Sequence, residues 1–198
     1  MNVLIVFESG YGQAERVAQT LAAAVRAEGH AVEVARASEV STLHGFDAVI
    51  VGGSIRIGKH QPELIAFCQT HRAALARMPN AFFSVSVSAR RLNGSGQREV
   101  AKTLARFIAE TGWGPQRLWP IAGALRYTRY PVWIKAMLVF IALLTGGDTD
   151  TSRDHEYTDW DAVAALGREF AQSLPRVDDG SPLPKIGLRT VGRPHAQA

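Results

Sequence analysis

The chain opens on an unbroken apolar run, residues 2–7 (NVLIVF), which Glu8, Ser9 and Gly10 bring to a stop. Branched residues without polar alternation predict a parallel strand covered on both faces. Beyond Gly12 the period changes: Val17, Leu21, Ala24 and Val25 recur at helical spacing, and Gly29 ends the helix after about residue 28. The pattern then repeats. Residues 30–37 (HAVEVARA) are a shorter strand, and residues 46–54 (FDAVIVGGS) are an apolar strand ending in small residues. Residues 61–78 read as a helix with Pro62 in its first turn, where a missing N–H costs nothing. Residues 80–88 (NAFFSVSVS) give a strand, 96–111 a helix and 117–125 (RLWPIAGAL) a strand. A last helix spans 157–174, with Thr158 as its predicted cap.

Strand and helix alternate five times, which predicts a doubly wound α/β fold around a parallel sheet. Two stretches depart from this rhythm. Residues 126–157 form a connection far longer than usual, and residues 175–198, rich in proline, glycine and arginine, are expected to be poorly ordered. One domain over 1–174 is therefore expected. A length of 198 residues with 46% hydrophobic and 20% charged residues supports a single packed core. The lone Cys68 forms no internal disulfide and suits a reducing compartment, and the start lacks the basic region of an export signal. A cytoplasmic location is expected.

The formal net charge of +4 favours an anionic partner. No zinc-finger or helix-turn-helix pattern and no interleaving of lysines with aromatics is present, so nucleic acid is not expected. The six histidines are scattered and make no metal set with one cysteine.

In a doubly wound sheet ligands sit beyond the carboxyl ends of the strands. The loop after the first strand, SGYGQA, leads there into a helix N-terminus, whose amides and dipole favour a phosphate. No lysine completes a Walker pattern, and Glu15 stands where a dinucleotide fingerprint needs its third glycine. A mononucleotide phosphate fits better; a plain strand-to-helix turn is the competing reading. The third strand ends in GGSIRIGKH and the fourth in SVSVSARR, small residues that leave room for a flat ring, with Ile55 and Ile57 against its faces. His60 and His155 are read as surface or packing residues before proton carriers, and Cys68 as core.

Taken together, GGSIRIGKH, FFSVSVSARR, AGALRYTRY and GGDTDTSRDHEYTDW make the chain similar to flavodoxin-like proteins. Within these it resembles the quinone-linked, FMN-containing protoporphyrinogen oxidases of bacterial haem synthesis. The likeness runs from about residue 2 to 174. It implies a five-stranded parallel sheet of order 2-1-3-4-5 and one FMN per chain. It implies that Ser9, Gly10, Tyr11, Gly12, Gln13 and Ala14 hold the FMN phosphate. It further implies that Ser54, Ile55, Arg56, Ile57 and Gly58, with Ser84, Ser86, Val87, Ser88, Ala89 and Arg90, border the ring, and that Gly147, Asp148 and Thr149 approach the cofactor. The family pattern carries threonine where this chain has Ala14, so weaker but retained FMN binding is expected, the missing hydroxyl being worth about 0.5–1.5 kcal/mol.

The activity so implied is oxidation of protoporphyrinogen IX, with electrons passed to a membrane quinone. Arg90, Arg91, Arg126 and Arg129 are candidates for its propionates, since guanidinium forks suit carboxylates. No catalytic base emerges. Residues 136–144 are apolar throughout, too short for the about 20 residues that span a bilayer. Flanked by Arg126, Arg129, Lys135, Tyr127, Tyr130 and Trp133, they suit a helix lying on an anionic membrane surface, which predicts peripheral contact through about 126–145. The same run also suits packing on the domain or a seam in a homo-oligomer. A flavodoxin-type electron carrier, an NAD(P)H-quinone reductase and a relative without FMN are the other readings.

Overall fold

In the computed structural model, residues 1–56, 58–90, 95–125 and 155–175 are described. Ile57, Arg91, Arg126, Arg129, Gly147, Asp148 and Thr149 lie outside these residues, as do the apolar segment and the tail beyond 175. For Arg90 only the backbone is described.

Five strands form one parallel sheet: β1 (Asn2–Glu8), β2 (Ala31–Arg36), β3 (Ala48–Ser54), β4 (Asn80–Ser86) and β5 (Leu118–Ala122). Their order is β2-β1-β3-β4-β5, and every pairing is parallel. The helices are α1 (Gln13–Ala27), α2 (Pro62–Leu75), α3 (Ser95–Thr111) and α4 (Trp160–Gln172). The connection from β2 to β3 carries a 3₁₀ turn, Ala37–Glu39, in place of an α-helix, so strand and helix do not alternate five times among the described residues.

The unbroken apolar strands are explained by two cores. Val3, Ile5 and Phe7 face one side, where Val17, Leu21 and Val25 of α1 meet Val163 and Phe170 of α4. Leu4 and Val6 face the other, against Leu64 and Phe67 of α2 and Leu104 and Phe107 of α3. Side chains alternate along a strand, so burial on both faces requires apolar residues at every position. Gly167 lets α4 close on α1; a Cβ there would lie 2.9 Å from Ala24 Cβ and 3.1 Å from Leu21 O.

Two expectations are corrected. The strand read over 117–125 breaks at Gly123. Ala124–Leu125 (β6) turns away from the sheet and pairs antiparallel with His155–Glu156 (β7). A Cβ on Gly123 would lie 3.0 Å from Val85 Cγ1, so a side chain here would press on the end of β4 where the chain crosses it. Thr158 does not cap α4. Asp159 does, its Oδ1 accepting from Ala162 N at 2.9 Å, while the Thr158 hydroxyl donates to Ala122 O at 2.7 Å.

Candidate functional site

Strand order reverses direction around β1 and β3, so the loops after these two strands open a crevice at the carboxyl edge of the sheet. Glu8 pairs in register with Gly53, which puts Ser9 beside Ser54. The two loops touch through Ser54 Oγ, which accepts from Gly10 N at 3.4 Å and from Gln61 Nε2 at 3.0 Å. The Arg56 guanidinium lies 5.8 Å from the centre of the Tyr11 ring.

The first loop has the features of an anion cradle. Gly12 precedes α1 at φ +85°, a left-handed conformation that glycine adopts without strain, and no side chain caps the helix. A Cβ on Gly10 would meet nothing within 4 Å, so the space in front of the loop is open. Ser9 Oγ is buried with no partner among the described residues, a donor whose desolvation no bond offsets. Ala14 is fully buried in the core of α1, so that position presents its amide rather than a side chain. Gln13 is also buried, and its side chain turns away from the loop, to Glu156 and Thr158.

The loop after β3 is a tight, self-bonded turn. Ile55 N donates to Val85 O at 2.9 Å; Arg56 and Lys59 exchange backbone bonds of 2.8 and 3.1 Å, with Gly58 at φ +71°. The amides of Ile55 and Arg56 are therefore spent inside the protein, and they shape the loop rather than face a ligand. After β4, Val87–Arg90 forms a 3₁₀ turn held by Ala89 N donating to Ser86 Oγ at 3.2 Å. Ile55, Gly58, Ser86 and Ser88 line a small cavity of about 120 Å³ floored by Glu99, Val100 and Thr103 of α3. Of the residues expected at the third and fourth strand ends, Ile55, Gly58, Ser86 and Ser88 meet at this cavity, whereas Ala89 is buried in the core at 4% exposure. Ser84 points into the core, 2% exposed, its Oγ 3.0 Å from His60 Nε2.

His60 settles into that core rather than the crevice. Its ring packs edge-on against Phe82 and Phe107, at centroid distances of 5.3 and 4.9 Å. Burial lowers its pKa from 6.5 to about 4, because a charged imidazole would lose its hydration there. Cys68 is fully buried in α2, and burial pushes its thiol up, which leaves it unreactive. Among the described residues no group of histidine, cysteine, aspartate and glutamate is arranged to hold a metal.

Sequence reasoning missed the frame around the first loop. Arg36, at the end of β2, reaches Glu8 at 3.5 Å and Glu15 at 3.6 Å. Arg16 pairs with Glu156 at 3.0 Å and lies 4.4 Å over the Trp160 ring. Arg16 and Trp160, with Tyr11, Gly12 and Glu15, wall an open concavity of about 860 Å³ beside α1. A β-strand terminus beside the switch point was the only local signal for Arg36, and the pairing of Arg16 with a residue 140 positions away left none.

Comparison with known proteins agrees with this architecture. The flavodoxin domain family matches residues 4–152. Protoporphyrinogen IX dehydrogenase (quinone) of Escherichia coli strain K12 is 34% identical over 176 residues, covering 86% of this chain and 95% of that protein. A protein of the same name from Leishmania major is 37% identical over 133 residues, 67% of this chain and 57% of its own length. Among solved structures, oxidised flavodoxin 1 from Bacillus cereus has the same fold, with a TM-score of 0.54 and 17% identity over 88% of this chain and 100% of its own.

Proposed function

This chain belongs to the flavodoxin domain family, and we propose that it is an FMN-dependent enzyme that oxidises protoporphyrinogen IX and passes the electrons to a quinone. The observation that carries the reading is the near end-to-end likeness to the Escherichia coli dehydrogenase, over a chain whose first loop is built as an anion cradle. Bound FMN would supply the two-electron redox chemistry. The Ser9 hydroxyl, the loop amides and the first turn of α1 would hold its phosphate, and the turns at 55–58 and 86–90 would flank its ring. His60 would act from beneath, fixing the 55–59 turn against β4 through Ser84. Arg90 and Arg91 remain the proposed contacts for substrate propionates beside the ring, with Arg126 and Arg129 from the connecting segment.

None of the described helices is long and apolar enough to cross a membrane. The apolar run at 136–144 and its flanking cations support peripheral contact with the inner face of the cell membrane, where a lipid-dissolved quinone would be met. Deletion of 132–144 is expected to release the protein from membranes while FMN stays bound; unchanged membrane recovery would remove that part of the reading.

The deciding assay is anaerobic: FMN-loaded protein, protoporphyrinogen IX and a menaquinone analogue, followed by porphyrin fluorescence. The proposal requires a signal that depends on both FMN and quinone. Bound flavin that other donors reduce, with no porphyrin formed, would assign the chain to electron carriers or NAD(P)H-quinone reductases instead.

A further inference from the structure

Gln13 is the first residue of α1, yet its side chain reaches the other end of the chain. Nε2 donates to Thr158 Oγ1 at 2.7 Å and to Glu156 Oε1 at 2.8 Å, using both hydrogens of the amide. The amide can face only this way. The Thr158 hydrogen is committed to Ala122 O at 2.7 Å, and a carboxylate only accepts, so the NH₂ end must meet both. Glu156 is closed off in turn, by Thr158 N on Oε1 at 3.2 Å and Arg16 Nη1 on Oε2 at 3.0 Å.

These partners sit where the chain leaves the sheet and returns to it. Ala124 pairs with Glu156 and Leu125 with His155, and Tyr157 N donates to Gly123 O at 3.2 Å. The β6–β7 ribbon is thus the base from which residues 126–154 depart. Gln13 fastens that base to the first turn of the anion-binding loop.

We infer that Gln13 is a positioning residue that couples the phosphate loop to the β6–β7 ribbon. The inference rests on the reading that residues 9–14 take the FMN phosphate. A phosphate on the loop amides fixes the backbone of residue 13, and two short bonds pass that order to Glu156 and Thr158. Coupling of this kind is reciprocal: docking of the ribbon tightens the hold on the phosphate by the same factor.

Hydrogen exchange on the full chain, with and without saturating FMN, tests this at amides that take no part in turnover. In the wild type FMN slows exchange at 156–158 about tenfold, within the usual range for coupled sites. In Thr158→Val and in Gln13→Leu, FMN still slows exchange at 9–14 but leaves 156–158 within about twofold of the FMN-free rate. Gln13→Glu, which sets a carboxylate against Glu156, also loses the effect. Full slowing at 156–158 in the single variants, or none in the wild type, overturns the inference. A chain that takes up no FMN overturns both this inference and the reading beneath it. Coupling in a protein that fails to oxidise protoporphyrinogen IX leaves the inference standing and removes only the activity.

Discussion

Replacing Gly52 with alanine sets two opposite expectations against each other. Gly52 lies inside β3, in register with Phe83 of β4. In an extended strand that tolerates a side chain, glycine to alanine stabilises by about 0.4–1 kcal/mol, because the unfolded chain loses freedom. Here an added Cβ would sit 2.3 Å from Phe83 Cγ and Cδ1 and 2.5 Å from Cδ2. Carbon atoms rest about 3.5–4.0 Å apart, so the ring must retreat by on the order of 1 Å. Phe83 is fully buried among Val3, Ile5, Val17 and Phe170, which leaves it no free volume. Overpacking of this kind costs about 1–3 kcal/mol, which outweighs the gain. With a net loss centred on about 1.3 kcal/mol, and about 2–4 °C per kcal/mol for a chain of this size, Tm falls by roughly 3–5 °C. Thermal and urea unfolding of the FMN-free protein reads it directly. Shrinking the ring in Gly52→Ala/Phe83→Leu should give a double variant less destabilised than the sum of the single changes, by about 0.5–3 kcal/mol. A Gly52→Ala protein as stable as the wild type, or strictly additive effects, would refute the packing argument.

Three further outcomes follow from the same geometry. His60 binds its proton at about pH 4 in the folded chain and at 6.5 in the unfolded one, so stability should be constant above about pH 6.5 and fall by up to about 3 kcal/mol as pH drops to about 4. Urea midpoints across that window should slope in the wild type and flatten in His60→Gln, which keeps a donor for Ser84; an equal slope in both would place the titration elsewhere. Ser9→Ala should weaken FMN binding about 2- to 10-fold, read by quenching of flavin fluorescence, yet cost the FMN-free protein no stability, since the hydroxyl removed has no partner. Gly167→Val should destabilise by about 1–3 kcal/mol in urea unfolding, because α1 backbone and Ala24 occupy the space a side chain would need.

The parts of the fold legible in the chain are those that local pattern controls. Residues 2–7 and 46–54 read as buried strands because both faces of β1 and β3 are covered, which no other environment of that length demands. Gly29 marks the end of α1 because it takes φ +89° there. The misreadings lie where a distant partner decides. Thr158 looks like a cap from its neighbours, but Gln13 and Ala122 claim its hydroxyl, and Asp159 takes over one residue later. Residues 117–125 read as one strand because nothing local reveals that Gly123 must cross over Val85. Ser84 belongs to a run of small residues suited to a ring, yet strand alternation turns it inward, opposite Phe83. The loop residues were legible as a set; the direction of each side chain was not, because direction depends on the face of the sheet the neighbouring strand leaves available.

The charges around the first loop show how such a frame can hold an anion with few hydroxyls. Glu8, nearly buried at the end of β1, and Glu15, in the first turn of α1, place two negative charges beside the cradle. Glu15 is also attracted to the positive end of the helix dipole, the same feature that would draw a phosphate. Unanswered, the pair would compete with the ligand. Arg36 answers both: one guanidinium nitrogen lies 3.5 Å from Glu8, another 3.6 Å from Glu15, and the group rests 5.2 Å from the Phe7 ring. Its exposure makes these pairs weak contributors to stability. Their consequence is instead positional, since a cation held between the two carboxylates keeps them from turning toward the loop amides. On the proposed reading the cradle then relies on the Ser9 hydroxyl and on backbone donors, and no substitution but proline removes the latter.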